Sequence, residues 1–371
     1  MYANGHTIIQ WIERLAPKEY AVPEDKIGLQ LGTLSKEVKK LLITLDITDA
    51  VIEEAISAGV DLIIAHHALI FRPLTHLRTD TVHGRYVEKL IKHDIAVYVT
   101  HTNLDVAVGG INDWLADAIG LTDTIPIEEV YIEKLYKLMV YVPQTHHAAV
   151  LEALFEAGAG EMGSYSHCSF SHTGVGTFRP IEGATPYIGE IGQRVTVDEQ
   201  RIEVIVALHL QKKVLRAMEK AHPYEVVAYD LYPIERAGHV YGLGRIGKLP
   251  QVMSLEELAL STKQAYDVPM VRVVGNPHKP IRQVAVLGGS GGRYARRAEL
   301  LGADAYITGD IDYHVAQDAL ATGFAIIDVG HHVEKIMKAG VATYLSAEIS
   351  RRKLNTVVIA SQVHTEPFQF I

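Results

Sequence analysis

Short apolar runs separated by helical stretches constrain this chain more than any other feature. Lys40-Leu41-Leu42-Ile43-Thr44-Leu45-Asp46 predicts a buried strand, and Asp49–Ala58 predicts a helix. Asp61-Leu62-Ile63-Ile64-Ala65 predicts a second strand and Ile95-Ala96-Val97-Tyr98-Val99-Thr100 a third, with a helix between them. Strands joined through helices make crossover units and a largely parallel sheet. The last third repeats the pattern. Gln283-Val284-Ala285-Val286-Leu287 leads into a glycine cluster, and Ala305-Tyr306-Ile307-Thr308 and Ala325-Ile326-Ile327-Asp328-Val329 predict strands that each precede a helix.

The middle of the chain follows a different rhythm. A strand is expected over 137–142, a helix over 146–157, a Gly/Ser/His-rich stretch over 158–176 and an alternating strand over 201–208. A helix over 211–222 and a last strand over 226–231 complete a β–α–β–β–α–β order, which is ferredoxin-like. The expected architecture is a two-part α/β core with a mostly parallel sheet, residues 1–128 and 236–371. An α+β insert, residues 129–235, interrupts it.

Composition narrows the classes. The 371 residues allow two or three domains, and 48% hydrophobic with 21% charged residues excludes a long disordered protein. No run approaches the roughly 18 apolar residues of a membrane helix, and Met1-Tyr2-Ala3-Asn4-Gly5-His6 carries no secretory signal. The single cysteine, Cys168, forbids an internal disulfide and fits a reducing compartment, so a cytoplasmic protein without membrane partners is expected. Lys and Arg number 35 against 44 Asp and Glu, and 35 − 44 = −9. That balance argues against specific nucleic-acid binding, which needs a basic stripe.

Among 19 histidines, those beside carboxylates matter most. Ala65-His66-His67 comes where a strand should end, and the carboxyl end of a parallel strand is where crevice sites form. The next strand ends in Thr100-His101-Thr102-Asn103-Leu104-Asp105, and a later one runs into Gly330-His331-His332-Val333-Glu334. His331 and Glu334 are three apart and share a helical face, whereas His332 points elsewhere. Taken singly, these are equally a surface histidine pair, a turn aspartate and a polar helix start. Together, His66, His67, Asp105, His331 and Glu334 offer three imidazoles and two carboxylates, a set suited to zinc, iron, cobalt or manganese. Five ligands exceed one catalytic zinc, so two divalent transition-metal ions are expected, with Asp105 bridging them and water activated for hydrolysis. Two weaker features follow later strands. Leu287-Gly288-Gly289-Ser290-Gly291-Gly292 reads as an anion-binding nest or as a tight turn. Asp310 reads as a helix N-cap, or with His314, four residues on, as a partner of the ligands or a general base.

The stretches Asp61 through His67, Thr102-Asn103-Leu104-Asp105, Gly288-Gly289-Ser290-Gly291, Ile307-Thr308-Gly309-Asp310 and Gly330-His331 resemble the NIF-three-like family, often labelled GTP cyclohydrolase 1 type 2 homologues. Ile27-Gly28-Leu29-Gln30-Leu31-Gly32 is similar to the family's N-terminal Gly-Leu-Gln element, with Asp25-Lys26 where Trp-Asp-Asn commonly precedes it. Many members space the last His and Glu by four positions; this chain spaces them by three. The resemblance implies a dinuclear metal site on His66, His67, Asp105, His331 and Glu334, and a ring-shaped homohexamer. The segment with Ala221-His222-Pro223-Tyr224-Glu225 and Tyr229-Asp230 is similar to the PII/CutA-like insert of longer members. Two functions fit: a metal-dependent hydrolase acting on a small molecule or a purine nucleotide such as GTP, and a non-catalytic metal-dependent regulator with a ligand-sensing insert.

Overall fold

A computed structural model describes residues 1–236 and 238–371. The chain divides into two compact units, residues 1–131 with 241–371, and residues 132–240.

The first unit contains two large sheets where one mostly parallel sheet was expected. In the first sheet, Val357–Ala360, Lys40–Thr44, Leu62–Ala65 and Ala96–Val99 run parallel, and Gly28–Leu31 closes the edge antiparallel. Its three central strands are buried and largely apolar, apart from the exposed Lys40 and the buried Thr44, because both faces are covered. Leu41, Ile43, Leu62 and Ile64 enter one core, while Leu42, Ile63, Ala65, Val97 and Val99 enter a second with Val51, Ile52 and Leu90. The helix Asp49–Ala58 starts on Thr48, whose side chain accepts from the Val51 N–H, and stops at Gly59 in the left-handed region.

The second sheet has the order Arg272–Val274, Ala325–Asp328, Ala305–Gly309, Pro280–Ser290, Arg245–Ser254, Thr122–Ile125. Only the pairings among its strands 280–290, 305–309 and 325–328 are parallel. The other pairs are antiparallel, with 272–274 and 122–125 at the two edges and 245–254 between 280–290 and 122–125.

The second unit strings Leu135–Pro143, the helix His147–Glu156, Ser169–Phe178, Val195–Ala207, the helix Gln211–Ala221 and Tyr229–Ile234. Its antiparallel sheet places the four strands in the order second, third, first, fourth, the ferredoxin-like arrangement. Leu138, Val140, Ile202, Val204 and Val206 meet Val150, Leu154, Val214 and Met218 of the helices on one face. The strand Ser169–Phe178 begins inside the Gly/Ser/His-rich stretch 158–176, for which no strand bounds were expected. Backbone pairing to 195–204 holds it as a strand although its side chains are mostly exposed and carry no alternating apolar signal. The last strand likewise starts at Tyr229, three residues later than expected, where its register with Val140 begins.

Candidate metal centre

Three strand ends of the first unit bring their polar residues together. His66 and His67 directly follow Leu62–Ala65, and their N–H groups still donate to Thr44 O (3.2 Å) and Leu45 O (2.9 Å). Their rings nonetheless lie 5.1 Å apart, centroid to centroid. Asp105 sits on the one-turn helix Thr102–Val106, where Asn112 Nδ2 donates to its carbonyl at 2.9 Å. His331 and Glu334 occupy the 3-10 turn His331–Lys335 after the second sheet's strand Ala325–Asp328. Three residues per turn put positions i and i+3 in line, so the two side chains stack, with His331 Nε2 3.2 Å from Glu334 Oε2.

Glu334 is central. Its Oε2 is 3.1 Å from His67 Nε2 and 3.7 Å from His66 Nε2, and Asp105 Oδ1 lies 3.8 Å from the same His66 nitrogen. The glycine cluster explains how Glu334 reaches that place. A Cβ on Gly289, whose φ is +68°, would stand 2.2 Å from Glu334 Oε1. The strand end is glycine at this point because the Glu334 carboxylate lies against its backbone, a close approach that neither the anion nest nor the tight turn anticipated.

Each imidazole is held from behind. His66 Nδ1 donates to Thr100 O (3.0 Å), His67 Nδ1 to Asp46 Oδ1 (2.6 Å) and His331 Nδ1 to Asp310 Oδ2 (2.7 Å). A fourth histidine, His101, joins them: its Nδ1 donates to Asp25 Oδ1 (2.8 Å), and its ring is 4.9 Å from that of His66. Asp25 also accepts from the Thr102 N–H at 3.0 Å and from its hydroxyl. With every Nδ1 spent on an oxygen acceptor, the Nε2 atoms are turned into the cluster, those of His67 and His331 toward Glu334 Oε2 and that of His66 without a partner. This is the pattern that orients metal-binding histidines.

Three groups of donor atoms lie within 4.8 Å of one another: His66 with Asp105 and Glu334; His67 with His331 and Glu334; and His66 with His67 and His101. The atoms His66 Nε2 and Asp105 Oδ1 are buried with no hydrogen-bond partner, a costly state for polar groups unless something else satisfies them. Two carboxylates converging with imidazole nitrogens, two of these atoms orphaned, fit a divalent cation.

Without one, the cluster keeps protons. Burial and the neighbouring Glu334 carboxylate push the Asp105 carboxyl up to about 8. Burial also opposes the charge on Glu334, but His66, His331 and His67 around it win and hold it well below the carboxylate range. Burial would lower His67, yet its bonds to Asp46 and Glu334 raise it to about 10. The Glu334 bond, against burial and with help from Asp310, raises His331 to about 9.

The remaining expectations divide. His332 turns away, its Nε2 3.2 Å from Thr365 Oγ1 and its ring against His364. Asp310 does reach the cluster through His331, but it is not the N-cap. Asp312 caps the helix Tyr313–Thr322, accepting from the His314 and Val315 N–H groups. Asp310 therefore precedes the helix, with φ +54°, and shares no helical face with His314 four residues on. His314 is exposed against the Tyr313 ring and, among the described residues, joins none of the three groups. His101, Asp25 and Asp46 are not among the expected site residues; for His101 the signal is the run Thr100-His101-Thr102-Asn103-Leu104-Asp105 just past a strand, of which only Asp105 was expected as a ligand.

The family model described as Duf34/NIF3 (NGG1p interacting factor 3) matches residues 3–367. A protein of Halalkalibacterium halodurans called GTP cyclohydrolase 1 type 2 homolog is 52% identical over 369 residues, covering 100% of this chain and 99% of that one. One of the same name from Bacillus subtilis is 50% identical over 368 residues, covering 99% of both. The crystal structure of a Bacillus cereus protein related to NIF3 superimposes with a TM-score of 0.95 at 50% identity, covering 100% of each chain.

Proposed function

This chain belongs to the Duf34/NIF3 family, and from that premise we propose that it is a dinuclear metal-dependent hydrolase. The observation that carries the reading is the set of imidazoles fixed through Nδ1, with His66 Nε2 and Asp105 Oδ1 buried and unpartnered between them. His66 and Asp105 would hold one ion, His67 and His331 the other, and Glu334 would be shared. Glu334, whose Oε2 faces three imidazoles at 3.1–3.7 Å, would be the shared ligand in place of Asp105. Divalent zinc, iron, manganese or cobalt bound there supplies Lewis-acid polarisation and water of lowered pKa.

The protein's own groups do the rest. Asp46 and Asp310 keep the His67 and His331 rings oriented. His101, left over from the two Glu334-centred groups and backed by the Asp25 carboxylate, is the group to carry a proton, in place of His314. A cleft of about 900 Å³ lined by His67, His331, Arg272 and Phe368 opens beside the cluster, a size that takes a nucleotide. The relatives' name makes GTP the first substrate to try. The resemblance also supports a cytoplasmic homohexamer with a PII/CutA-like second unit, for which the ferredoxin-like strand order speaks.

The test is to load the metal-free protein with each of the four metals and assay GTP, other nucleotides and phosphoesters for turnover. Turnover that disappears in Asp105→Ala and Glu334→Ala supports the hydrolase. Metal uptake without turnover of any of them favours the regulator.

A further inference from the structure

We propose that Thr365, on the C-terminal tail, is a positioning residue of the metal centre that holds the His67 imidazole through Asp46. The inference rests on the metal-binding reading above. After the strand Val357–Ala360 the tail leaves the sheet under firm guidance. The Ser361 N–H donates to Ile43 O at 2.9 Å and the Gln362 N–H to Glu54 Oε1 at 2.9 Å. Lys338 Nζ donates to the carbonyls of Ser361 (3.0 Å) and Val363 (3.3 Å). These anchors deliver Thr365 to the back of the cluster.

There the hydrogens can be counted. The Thr365 hydroxyl donates to Asp46 Oδ2, since an ionised carboxylate has no hydrogen to give. With its only hydrogen spent, the hydroxyl oxygen must accept from His332 Nε2 at 3.2 Å. Asp46 Oδ1 meanwhile accepts from His67 Nδ1 at 2.6 Å. The result is one directed chain, His332 to Thr365 to Asp46, met from the other side by His67.

Asp46 gains rotational definition from this. Its side chain is 30% exposed, so with one oxygen on His67 alone it would be free to turn toward water. The hydroxyl occupies the second oxygen and fixes the carboxylate plane, and with it the His67 ring. The tail anchors at Ser361, Gln362 and Lys338 do not involve the hydroxyl. Removing it therefore loosens Asp46 and leaves the tail in place.

The experiment compares the full-length wild type with Thr365→Val, which keeps the shape and loses the hydroxyl, and with Thr365→Ser, which keeps the hydroxyl. Metal-free samples are titrated with Co²⁺ while visible absorption is recorded, and Zn²⁺ affinity is measured against a chelator. Removing a group that orients a metal-binding histidine costs about 10–100-fold in metal affinity. Thr365→Val, acting through Asp46, is expected at the lower end, about tenfold, with a shifted Co²⁺ spectrum. Thr365→Ser is expected to restore both, and the metal-free melting temperature of Thr365→Val should match the wild type. Unchanged affinity and spectrum in Thr365→Val overturn the proposal, as does an equal loss in both variants. A wild type that takes up no Co²⁺ overturns the metal-binding reading itself.

Discussion

Two carboxylates in the centre have opposite fates because their neighbours differ. Glu334 is ringed by imidazoles and stays ionised, whereas Asp105 is buried beside Glu334 and keeps its proton up to about 8. This fixes a sign for the metal-free protein. His67 rises from 6.5 to about 10 and Asp105 from 3.8 to about 8. A group that binds its proton more tightly when folded contributes its full stability below the unfolded value and loses it as the pH climbs through the folded value. The metal-free protein should therefore melt at a lower temperature at about pH 9 than at about pH 6. Metal uptake has to displace the same protons, so affinity should rise over that interval. Calorimetry of metal-free and loaded samples checks both, and a metal-free melting temperature that climbs with pH through this range would count against the protonated cluster. At the same scale, His101→Gln should keep its metal and lose about 10²–10⁴-fold in turnover, as removal of a proton carrier does. His314→Ala should leave turnover unchanged. Equal kinetics in the two variants would remove His101 from its role.

Among the elements, the end of the strand Pro280–Ser290 has little freedom, since any side chain at Gly289 enters the space of Glu334. Gly289→Ala should cost about 1–3 kcal/mol from its left-handed backbone alone and also lower metal content; unfolding in urea with elemental analysis measures the two together. The second unit is expected to be dispensable for metal binding, because every proposed ligand lies in residues 1–131 or 241–371. The rings of Tyr131 and Tyr241 at the cut ends are 6.0 Å apart, so a short Gly/Ser linker should replace residues 132–240. Aggregated or metal-free product would show that the insert is part of the core.

Much of this was readable from the residues, and the rest had physical reasons to be hidden. The strands Lys40–Thr44, Leu62–Ala65 and Ala96–Val99 announce themselves because burial on both faces makes their centres continuous apolar runs. Local pattern, however, identifies a strand and not its partner. Nothing in Val357–Ala360 says that it pairs with Lys40 to Ile43, which is why the expected single sheet proved to be two. The carboxylates that orient histidines were hidden for the same reason: Asp25 serves a histidine 76 positions away and Asp46 one 21 positions away.

At the scale of the whole molecule, charge and metal load set the expectations. Among the described residues no helix is long and apolar enough to cross a membrane. A net charge of −9 leaves little to neutralise phosphates, and two divalent ions per chain would still leave it negative. A labelled duplex should show at most weak binding that vanishes by physiological salt; submicromolar, salt-resistant binding to a defined sequence would move the protein into the regulator class. The central claim is the paired metal site, and counting ions tests it most directly. Elemental analysis of purified protein reconstituted with zinc, manganese, iron or cobalt should find about two ions per chain, since the ligand set exceeds one tetrahedral site, and Glu334→Ala should lose both. One ion or none per chain in the wild type, or two retained in Glu334→Ala, would contradict it.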